Sequence, residues 1–409
     1  MICHTLITLA MVFILGVSGA IPGCTHASRG AAAPATRPSD EPTLTRTVVL
    51  DGLDGPWDLA FTPDGALLVT EKCRGLSVRR ADGSRHALFG RDGAAVAAPD
   101  FFCQGQSGAH GIAVDPDFAR TRFVYLFMPS TLMRPPTNRV VRLVVDPGYT
   151  TVSARTDIVP DIPFKHAANA VGGVGAHSGG RLRFGPDGFL YITTGDNHQP
   201  TLPQDLTRLG GKVLRVDRDG RPAPGNHTPA GGDPRLYTYG HRNVQDITFR
   251  PGTGQPFVAE HGPNHSDEVT PLVAGGNGGW DPQQRPDLQC PDGYCGYAGT
   301  ATTMPMTDTA RFPHAMRPSW TNKGTSEGMG PSTFLTGAPW GAWEGRLAVG
   351  FLAGRRVEVL HLDTAGRTTS HTRMDLPRQR IRALVPDPTG ALYIAVDAGE
   401  IWRVAPQAP

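Results

Sequence analysis

The residues best suited to chemistry lie in the stretch 237–280. It contains three histidines, two arginines, several side-chain amides, an acidic pair and a Gly-Pro turn. Two short β-prone runs, 246–249 and 256–259, are joined by a turn-rich segment, which predicts a hairpin. The polar loops 240–243 and 260–264 flank this hairpin and therefore lie at the same end of it. Polar groups concentrated in loops at one end of rigid strands indicate a functional site.

Three arginines suggest what the site binds. Arg242 belongs to the first of these loops, whereas Arg380 and Arg382 lie near the C-terminus. If the loops converge, three fixed positive charges face one pocket and favour a ligand with several carboxylates or phosphates. Taken singly, each would be an ordinary solvated arginine.

His177 is the candidate general base. It is flanked by Gly175 and Gly179, which would let a ligand approach the backbone. An imidazole accepts a proton near neutral pH. For His177 alone, a packed or solvent-facing histidine is the alternative; beside the arginines, the catalytic interpretation is favoured.

A repeated unit supplies the scaffold for these loops. A β-prone run, a turn and a second β-prone run recur five times, and a sixth unit begins near Phe334. The turn prolines, spaced by 53, 70, 65 and 137 residues, are Pro63, Pro116, Pro186, Pro251 and Pro388. This period predicts an all-β fold, a six-bladed β-propeller with four-stranded antiparallel blades. A pair of β-sandwiches is the alternative.

In a propeller, loops from all the blades converge at one end of the central channel. Residues that share a site should therefore lie just before the first β-prone run of their units. The loops that meet this condition are 105–111, 172–181, 240–243 and 378–382. The sequence predicts that they meet.

The composition agrees with an all-β protein. The 51 glycines and 38 prolines make up over a fifth of the 409 residues, so turns are frequent and long helices are not expected. The net charge is only +2. Such a chain has no overall field to attract nucleic acid or an anionic membrane, and neither is an expected partner.

The N-terminus predicts export. Residues 6–21 form an apolar run of 16 residues, shorter than the roughly 20 of a transmembrane helix. The sequence IPGC, which ends at Cys24, resembles a bacterial lipoprotein cleavage box. We therefore expect a signal peptide at 1–23, an acylated Cys24, a disordered tether at 24–44 and the propeller at 45–409. The protein would be periplasmic or tethered to the outer membrane; plain secretion or an uncleaved anchor are the alternatives.

Export makes the other cysteines candidates for disulfides. Four remain outside the N-terminal segment, and they lack paired C-x-x-C elements. An even number in an oxidising compartment favours disulfides over zinc ligation. The favoured pairs are Cys73 with Cys103 and Cys290 with Cys295, although three pairings are formally possible and buried free thiols are the alternative.

Five motifs resemble those of a known family. In chain order they are HSGGRLRFGPDGFLYITTGD, LTRLGGKVLRVDRDG, YGHRNVQDITF, EHGPNHSDEV with GGNGGW, and IRALVPDPTGALYIAVD. They are similar to the successive motifs of the soluble sugar dehydrogenases that depend on pyrroloquinoline quinone (PQQ), the glucose/sorbosone dehydrogenase family. The resemblance runs from about Leu53 to Val404, and it implies a six-bladed propeller that carries PQQ and calcium.

The resemblance also implies roles for eight residues. His177 matches the catalytic base, and Gln106 matches a glutamine on the sugar side of the site. The residues that match contacts of PQQ are Arg242, Asn243, Arg380 and Arg382. The residues that match the pair whose backbone carbonyls bind calcium are Gly262 and Pro263.

The implied reaction is oxidation of the anomeric carbon of an aldose to the lactone. His177 would remove the hydroxyl proton as hydride passes to the quinone. Calcium, a hard cation that accepts carbonyl oxygens, would polarise the quinone carbonyl. The implied partners are an aldose sugar and an electron acceptor, either a quinone or a cytochrome.

Three departures from the family pattern leave the sugar open. Ala353 is the nearest match to a lysine of the family, with Arg355 and Arg356 as candidate substitutes. Ala176 precedes the catalytic histidine, where an aspartate is frequent. His110 stands where hydrophobic residues are usual, which makes it another candidate pocket group.

Two pairs of polar residues, one of them acidic, are more simply explained by structural roles. Asp267 and Glu268 are neighbours on a strand and point to opposite faces, so bonding of loop amides is favoured over acid/base chemistry. Asp196 and Asn197 follow a predicted strand, and a turn is favoured over a second metal site.

Two other functions remain open. A calcium-dependent six-bladed lactonase or related hydrolase would bind its metal through Glu, Asn and Asp side chains deep in the channel. A catalytically inactive propeller that serves as a binding module is suggested by Ala353.

Overall fold

The computed structural model describes residues 41–91, 93–166, 172–297, 304–338 and 340–407. The predicted signal peptide at 1–23, the acylation site Cys24 and all but the last four residues of the predicted tether lie outside these ranges. The first strand begins at Leu44. None of the helices in the described ranges is long and apolar enough to cross a bilayer.

The described chain forms six sheets arranged as the blades of a propeller. This confirms the predicted all-β, six-bladed fold. Each sheet has four antiparallel strands or three with a short fourth, and two sheets carry an additional two-residue parallel strand.

The first two blades follow the N-terminal strand β1 (Leu44–Leu50). Blade 1 contains β2 (Pro56–Phe61), β3 (Leu67–Glu71), β4 (Gly75–Arg79), β5 (Arg85–Gly90) and β6 (Val96–Ala97). Blade 2 contains β7 (Ile112–Val114), the short helix α1 (Phe118–Thr121), β8 (Phe123–Ser130), β9 (Thr137–Val145) and β10 (Val152–Ile162).

The edge strands of the next two blades do not follow one another in chain order. Blade 3 begins with β11 (Gly179–Phe184), β12 (Leu190–Thr194), β13 (Val213–Val216) and β14 (Leu236–Tyr239). Blade 4 begins with β15 (Val244–Phe249), β16 (Pro256–Glu260) and β17 (Glu268–Pro271). The chain then returns to blade 3 as β18 (Gly276–Asn277), makes a 3₁₀ turn (Pro291–Gly293), and completes blade 4 as β19 (Trp320–Thr321).

The last two blades bring the chain back to its start. Blade 5 contains β20 (Met329–Phe334), a 3₁₀ turn (Gly341–Trp343), β21 (Leu347–Phe351), β22 (Val357–Leu362) and β23 (Thr368–Arg373). Blade 6 contains β24 (Ile381–Pro386), β25 (Leu392–Val396) and β26 (Glu400–Pro406). Strand β1 pairs antiparallel with β26, with Leu44 opposite Pro406, and so supplies the fourth strand of blade 6.

The repeated turns account for the sequence repeat. In blade 1 the turn between β2 and β3 is closed by a hydrogen bond from the amide of Gly65 to the carbonyl of Thr62. Gly65 has φ +87°, and the equivalent Gly188 and Gly390 have φ +78° and +82°. This left-handed conformation favours glycine, so the same turn chemistry recurs wherever the innermost hairpin is built.

The innermost strands surround a buried ionic cluster, which we call the channel ion cluster: Asp58, Arg181, Arg183 and Asp246. Arg181 contacts Asp58 at 2.5 Å and Asp246 at 3.3 Å, and Arg183 contacts Asp58 at 2.8 Å. Further hydrogen bonds connect the cluster to backbone groups of the other blades: the carbonyls of Trp57, Gln245 and Arg382, and the amides of Ile112 and Ser332. The cluster therefore contacts all six blades.

The structure forms the two disulfides that the sequence favours. Cys73–Cys103 links the turn after β3 to the loop that leads into blade 2. Cys290–Cys295 closes a small loop that contains the 3₁₀ turn Pro291–Gly293.

Candidate active site

A cavity of about 400 Å³ lies at the end of the channel where the loops before the innermost strands meet. Loops of all six blades contribute to its lining. Five of the eight predicted site residues line it: Gln106, His177, Asn243, Arg380 and Arg382. The predicted convergence of loops from separate repeats is therefore observed.

The other three predicted residues lie next to the cavity lining. Arg242 is buried, and its Nη1 donates a hydrogen bond to the carbonyl of His261 at 3.2 Å. His261 itself lines the cavity. Gly262 and Pro263 follow His261 directly in the chain, so the loop that carries them leaves the cavity wall.

His177 is held in a defined orientation. Its Nδ1 lies 2.7 Å from the Oδ1 of Asp196, and its ring is only 9% exposed. A carboxylate partner places the imidazole proton on Nδ1 and leaves Nε2 as the proton acceptor. The backbone of His177 has φ +51°, an uncommon conformation for a residue with a side chain and one that is concentrated at functional sites.

Asp196 has a role that the sequence interpretation missed. Its carboxylate is fully buried and accepts four hydrogen bonds. The donors are the Nδ1 of His177, the amide of His198, the Nε1 of Trp280 and the hydroxyl of Tyr294. The favoured interpretation as a turn is therefore incomplete: Asn197, with φ +48°, turns the chain, whereas Asp196 orients His177.

The surroundings of His177 keep its imidazole neutral. Burial, together with the positive charge of Arg242, holds the pKa of His177 well below its usual value, and His261 and Lys165 act in the same direction. A neutral imidazole with a free Nε2 is the form that a general base requires.

Three of these groups are close enough to suggest a metal site. Ligand atoms of His177, Asp196 and His198 all lie within 4.8 Å of one another. However, both oxygens of Asp196 already accept hydrogen bonds, and the ring nitrogens of His198 contact the Nζ of Lys165 at 3.0 Å and the hydroxyl of Tyr297 at 2.8 Å. Hydrogen-bond partners therefore occupy these atoms, which favours a hydrogen-bond network over a metal centre.

Positive charge is concentrated on one side of the cavity. Arg380 and Arg382 both direct their Nε atoms to the carboxylate of Asp397, which is 2.6 Å from the Nε of Arg380. Burial opposes ionisation of Asp397, but Arg382 and Arg380 outweigh it and keep its pKa below the usual value. Asp397 therefore orients two guanidinium groups that still carry a net positive charge.

Lys72 adds a third cation that the sequence interpretation did not identify. It follows β3 directly, and its Nζ donates to the carbonyl of Gly105 at 2.6 Å at the cavity wall. Burial and the nearby Arg382 lower its pKa. The sequence signal that could have identified Lys72 is its position directly after β3, at the cavity end of that strand.

Neither Arg355 nor Arg356, the two candidate substitutes for the family lysine near Ala353, lines the cavity. Ala353 lines the cavity, but Arg356 is engaged by Glu327 and by Glu358, whose Oε1 lies 2.6 Å from its Nε. Arg356 is therefore committed to glutamates outside the cavity lining, and Lys72 is the lysine that the cavity contains.

Carboxylates hold the two loops of blade 4. Glu260 accepts hydrogen bonds from the Nδ1 of His241 at 2.9 Å, from the amide of Asn243 at 3.1 Å and from the amide of Arg242. Asp267 accepts from the amide of Gly262 at 2.9 Å. These bonds fix the backbone of both loops relative to the hairpin β15–β16.

The favoured structural role of the acidic pair is confirmed for one member. Asp267 bonds the amides of Gly262 and Glu327. Glu268 differs, because its carboxyl group accepts a hydrogen bond from the hydroxyl of Thr307 at 2.8 Å and burial raises its pKa to about 8.

Gly262 is sterically required, since a Cβ there would lie 1.8 Å from the carbonyl oxygen of His265.

His110 forms part of the cavity wall. Its ring stacks on Trp57, with centroids 4.5 Å apart and planes inclined by 8°, and Phe127 lies on its other side. Its ring nitrogens contact the carbonyls of Gly179 and Gln106, and burial lowers its pKa to about 4. His110 is therefore a neutral, stacked wall residue.

The fold and the site define a six-bladed propeller whose channel end holds a cavity lined by an oriented imidazole and three cationic side chains. The model of the Glucose / Sorbosone dehydrogenase family matches residues 53–403. The chain belongs to the glucose/sorbosone dehydrogenase family. This confirms the predicted family and, with it, the predicted enzyme class, a quinoprotein sugar dehydrogenase that acts on CH–OH groups.

Named relatives agree with this placement. The aldose sugar dehydrogenase YliI of Escherichia coli is 28% identical over 371 residues, which cover 89% of this chain and 94% of that protein. The quinoprotein glucose dehydrogenase B of Acinetobacter calcoaceticus is 30% identical over 264 residues, or 58% of this chain and 52% of that protein. The PQQ-bound structure of the aldose sugar dehydrogenase of Streptomyces coelicolor superposes with a TM-score of 0.68 at 26% identity, covering 90% of this chain and 100% of that one.

Proposed function

We propose that the protein uses PQQ and calcium to oxidise aldose sugars at the anomeric carbon, giving lactones. The observation that carries this proposal is that one cavity is lined by the oriented base His177 together with Lys72, Arg380 and Arg382. The relatives named above are aldose and glucose dehydrogenases, and one of them was solved with PQQ bound.

The residues of the cavity fit PQQ. Its three cations face a single carboxylate, that of Asp397, so the lining carries an excess of positive charge that suits a ligand with several carboxylates. Arg242 adds a second observation, because its Nε is buried and finds no hydrogen-bond partner among the described residues. A buried donor of this kind is costly unless a ligand satisfies it. Arg242, Arg380, Arg382 and Lys72, with Asn243, are the residues that would hold the cofactor.

The loop at Gly262 and Pro263 fits calcium. Within the described part of the chain, no backbone amide donates a hydrogen bond to the carbonyl oxygen of either residue. Carbonyl oxygens are ligands that calcium prefers. The bond from the amide of Gly262 to Asp267 fixes the backbone of this loop without using those oxygens.

When bound, PQQ would accept hydride from the anomeric carbon, with calcium polarising the quinone carbonyl. The protein's own residues remove the proton of the sugar hydroxyl. His177 accepts the proton of the anomeric hydroxyl at Nε2, and Asp196 stabilises the imidazolium that results. Gln106 is exposed at the cavity mouth, where its side chain would contact the sugar.

The alternative of a metal-dependent lactonase is less well supported. Such an enzyme needs side-chain ligands deep in the channel. There, Asp58 and Asp246 are paired with Arg181 and Arg183, and their oxygens also accept backbone amides. Two arginines among the carboxylates disfavour a divalent cation at that position.

Reconstitution tests the proposal. The apoprotein is treated with EDTA and then given PQQ alone, calcium alone or both, and dye reduction is measured with a panel of aldoses. Only the combination should give sugar-dependent turnover, with the lactone as product. Hydrolysis of a lactone without PQQ, measured by release of acid in a parallel assay, would favour the hydrolase, and saturable binding of PQQ without turnover on any sugar would favour the inactive binding module.

A variant separates the role of the base from binding of the cofactor. His177→Ala should lose turnover by about 10²-fold to 10⁴-fold, because proton removal then falls to water. PQQ should still bind this variant with the affinity of the wild type, as measured by quenching of tryptophan fluorescence. Turnover at the wild-type rate, or loss of PQQ binding, in this variant would mean that the role of His177 is assigned wrongly.

The proposed enzyme is exported. The apolar run at 6–21 and the IPGC sequence ending at Cys24 support a lipoprotein signal. Two disulfides are also typical of an oxidising compartment. Labelling with a radioactive fatty acid, compared between the wild type and Cys24→Ser, tests the lipid anchor. The electron acceptor, a quinone or a cytochrome, would then lie in the same compartment.

A further inference from the structure

Tyr294 reaches the catalytic pair from a distant part of the chain. Its hydroxyl donates a hydrogen bond to the Oδ2 of Asp196 at 2.7 Å across a sequence separation of 98 residues. The side chain is buried. Burial, together with the charge of Asp196, raises the pKa of Tyr294 well above its usual value, so its hydroxyl keeps its proton and remains a donor.

The segment around Tyr294 is held by a disulfide. Cys290 and Cys295 are bonded to each other and enclose the 3₁₀ turn Pro291–Gly293. The amide of Tyr294 donates to the carbonyl of Pro291 at 3.1 Å. The amide of Cys295 donates to the carbonyl of Pro282 at 2.8 Å. The side chain of Cys295 packs in the hydrophobic cluster that contains Trp280. We call residues 290–295 the disulfide loop.

We propose that Tyr294 is a positioning residue for His177, acting through Asp196, and that the disulfide loop exists to hold it there. The proposal rests on the proposed role of His177 as the base. Trp280 and Tyr294 both bond the Oδ2 of Asp196, whereas His177 bonds Oδ1. The donors on Oδ2 fix the plane of the carboxylate, and that plane fixes the imidazole.

Loss of the Tyr294 hydroxyl has a defined electrostatic consequence. With one donor fewer, Asp196 retains more of its negative charge for the Nδ1 of His177, and protonated His177 becomes more favourable. The other groups that act on His177 are Arg242, His261, Lys165 and His198, and the substitution changes none of them. One hydrogen bond to a charged group corresponds to about a tenfold gain in proton affinity at His177.

The test follows the protonation of His177 directly. The chain is labelled with ¹⁵N-histidine, the His177 signals are assigned by their loss in His177→Gln, and the apoprotein is titrated with acid. In Tyr294→Phe, His177 should titrate at higher pH than in the wild type, because its proton affinity should be about tenfold higher. Tyr125→Phe is the matched control, since Tyr125 is also buried and donates to a carboxylate, that of Asp115 at 2.9 Å, in blade 2.

The disulfide is tested in the same way. Cys290→Ser/Cys295→Ser should shift the titration of His177 in the same direction as Tyr294→Phe. Combining all three substitutions should add nothing beyond the larger single effect, because both act through one hydrogen bond. If Tyr294→Phe does not fold, as judged by circular dichroism, the cysteine double variant carries the test alone.

The outcomes are distinguishable from failure of the proposed function. An unchanged titration of His177 in folded Tyr294→Phe overturns the positioning role, as do fully additive effects of Tyr294→Phe and the cysteine variant. A shifted titration in a protein that never turns over sugar with PQQ supports the positioning role and removes the proposed function. The kinetic counterpart is a fall in kcat with little change in KM.

Discussion

Asp196 and His177 form a buried pair in which the carboxylate, itself held by three further donors, lies 2.7 Å from the Nδ1 of the imidazole. The carboxylate does two things for a base. It selects the tautomer whose Nε2 is free, and it compensates the positive charge that appears when Nε2 takes a proton.

We expect Asp196→Asn to lower kcat by about 10²-fold to 10⁴-fold, because the amide supplies no compensating charge and its NH₂ group would face N–H or O–H donors. PQQ affinity should change little, since Asp196 is not among the residues that line the cavity. Steady-state kinetics with a saturating aldose and a fluorescence titration with PQQ measure the two effects. A kcat within threefold of the wild type would contradict the assigned role.

The pH dependence of the reaction should follow the lowered pKa of His177. A base works in its deprotonated form, and the folded-state pKa lies well below 6.5, so activity should persist as pH falls through 6.5 and decline only in more acidic solution. The measurement is kcat/KM against pH in the reconstituted enzyme. An acid limb centred at or above pH 6.5 would be the opposite result.

Arg382→Ala should weaken PQQ binding by about 10-fold to 100-fold, because a charge-assisted hydrogen bond to a carboxylate is lost. Added salt should narrow the difference between variant and wild type. Equilibrium dialysis with PQQ measures the affinity. Arg120→Ala is the control, since Arg120 is 72% exposed, lies on the short helix α1 and pairs with Asp117, the residue before that helix. None of these residues lines the cavity. Equal affinities of the two variants would remove Arg382 from the binding site.

Arg181→Met should destabilise the fold by about 3–5 kcal/mol, because it leaves the buried carboxylates of the channel ion cluster short of a compensating charge. Arg181 is 1% exposed. Urea denaturation followed by circular dichroism at pH 7 measures the free energy of unfolding. The exposed pair of Arg221 and Asp219 supplies the comparison, because Arg221→Met should cost under about 1 kcal/mol. A similar small cost for Arg181→Met would contradict the proposed importance of the cluster.

The sequence predicts the fold because each blade is marked by a short turn whose residues are adjacent in the chain. Each innermost hairpin needs the same left-handed turn, so Gly65, Gly188 and Gly390 recur with the same neighbours and mark the blades. Residues that precede the innermost strands, such as His177 and Arg382, could be placed at one end for the same reason. The number of blades and the convergence of the loops follow from this single pattern.

The partners of those residues were harder to predict. Asp397 was accessible in principle, since the register that pairs Ile381 with Val396 brings it beside Arg380 and Arg382. Asp196 was accessible in the same way, since the register that pairs Gly179 with Thr194 brings it beside His177. Tyr294 was not, because its contact with Asp196 joins two loops that are 98 residues apart in the chain. Side chains that orient a site through such contacts leave no spacing signal in the chain.

The pairing of β1 with β26 has a consequence for biogenesis. Strand β1 can pair only after β26 has been synthesised, and Thr45 of β1 and Ala405 of β26 are 360 residues apart, so the ring stays open until then. A product truncated before Glu400 would present the unpaired edge of β25 and a solitary β1 to other chains, and exposed edges of this kind promote aggregation. Synthesis of β26 is therefore required before the ring can close and the loops of all six blades can form the site.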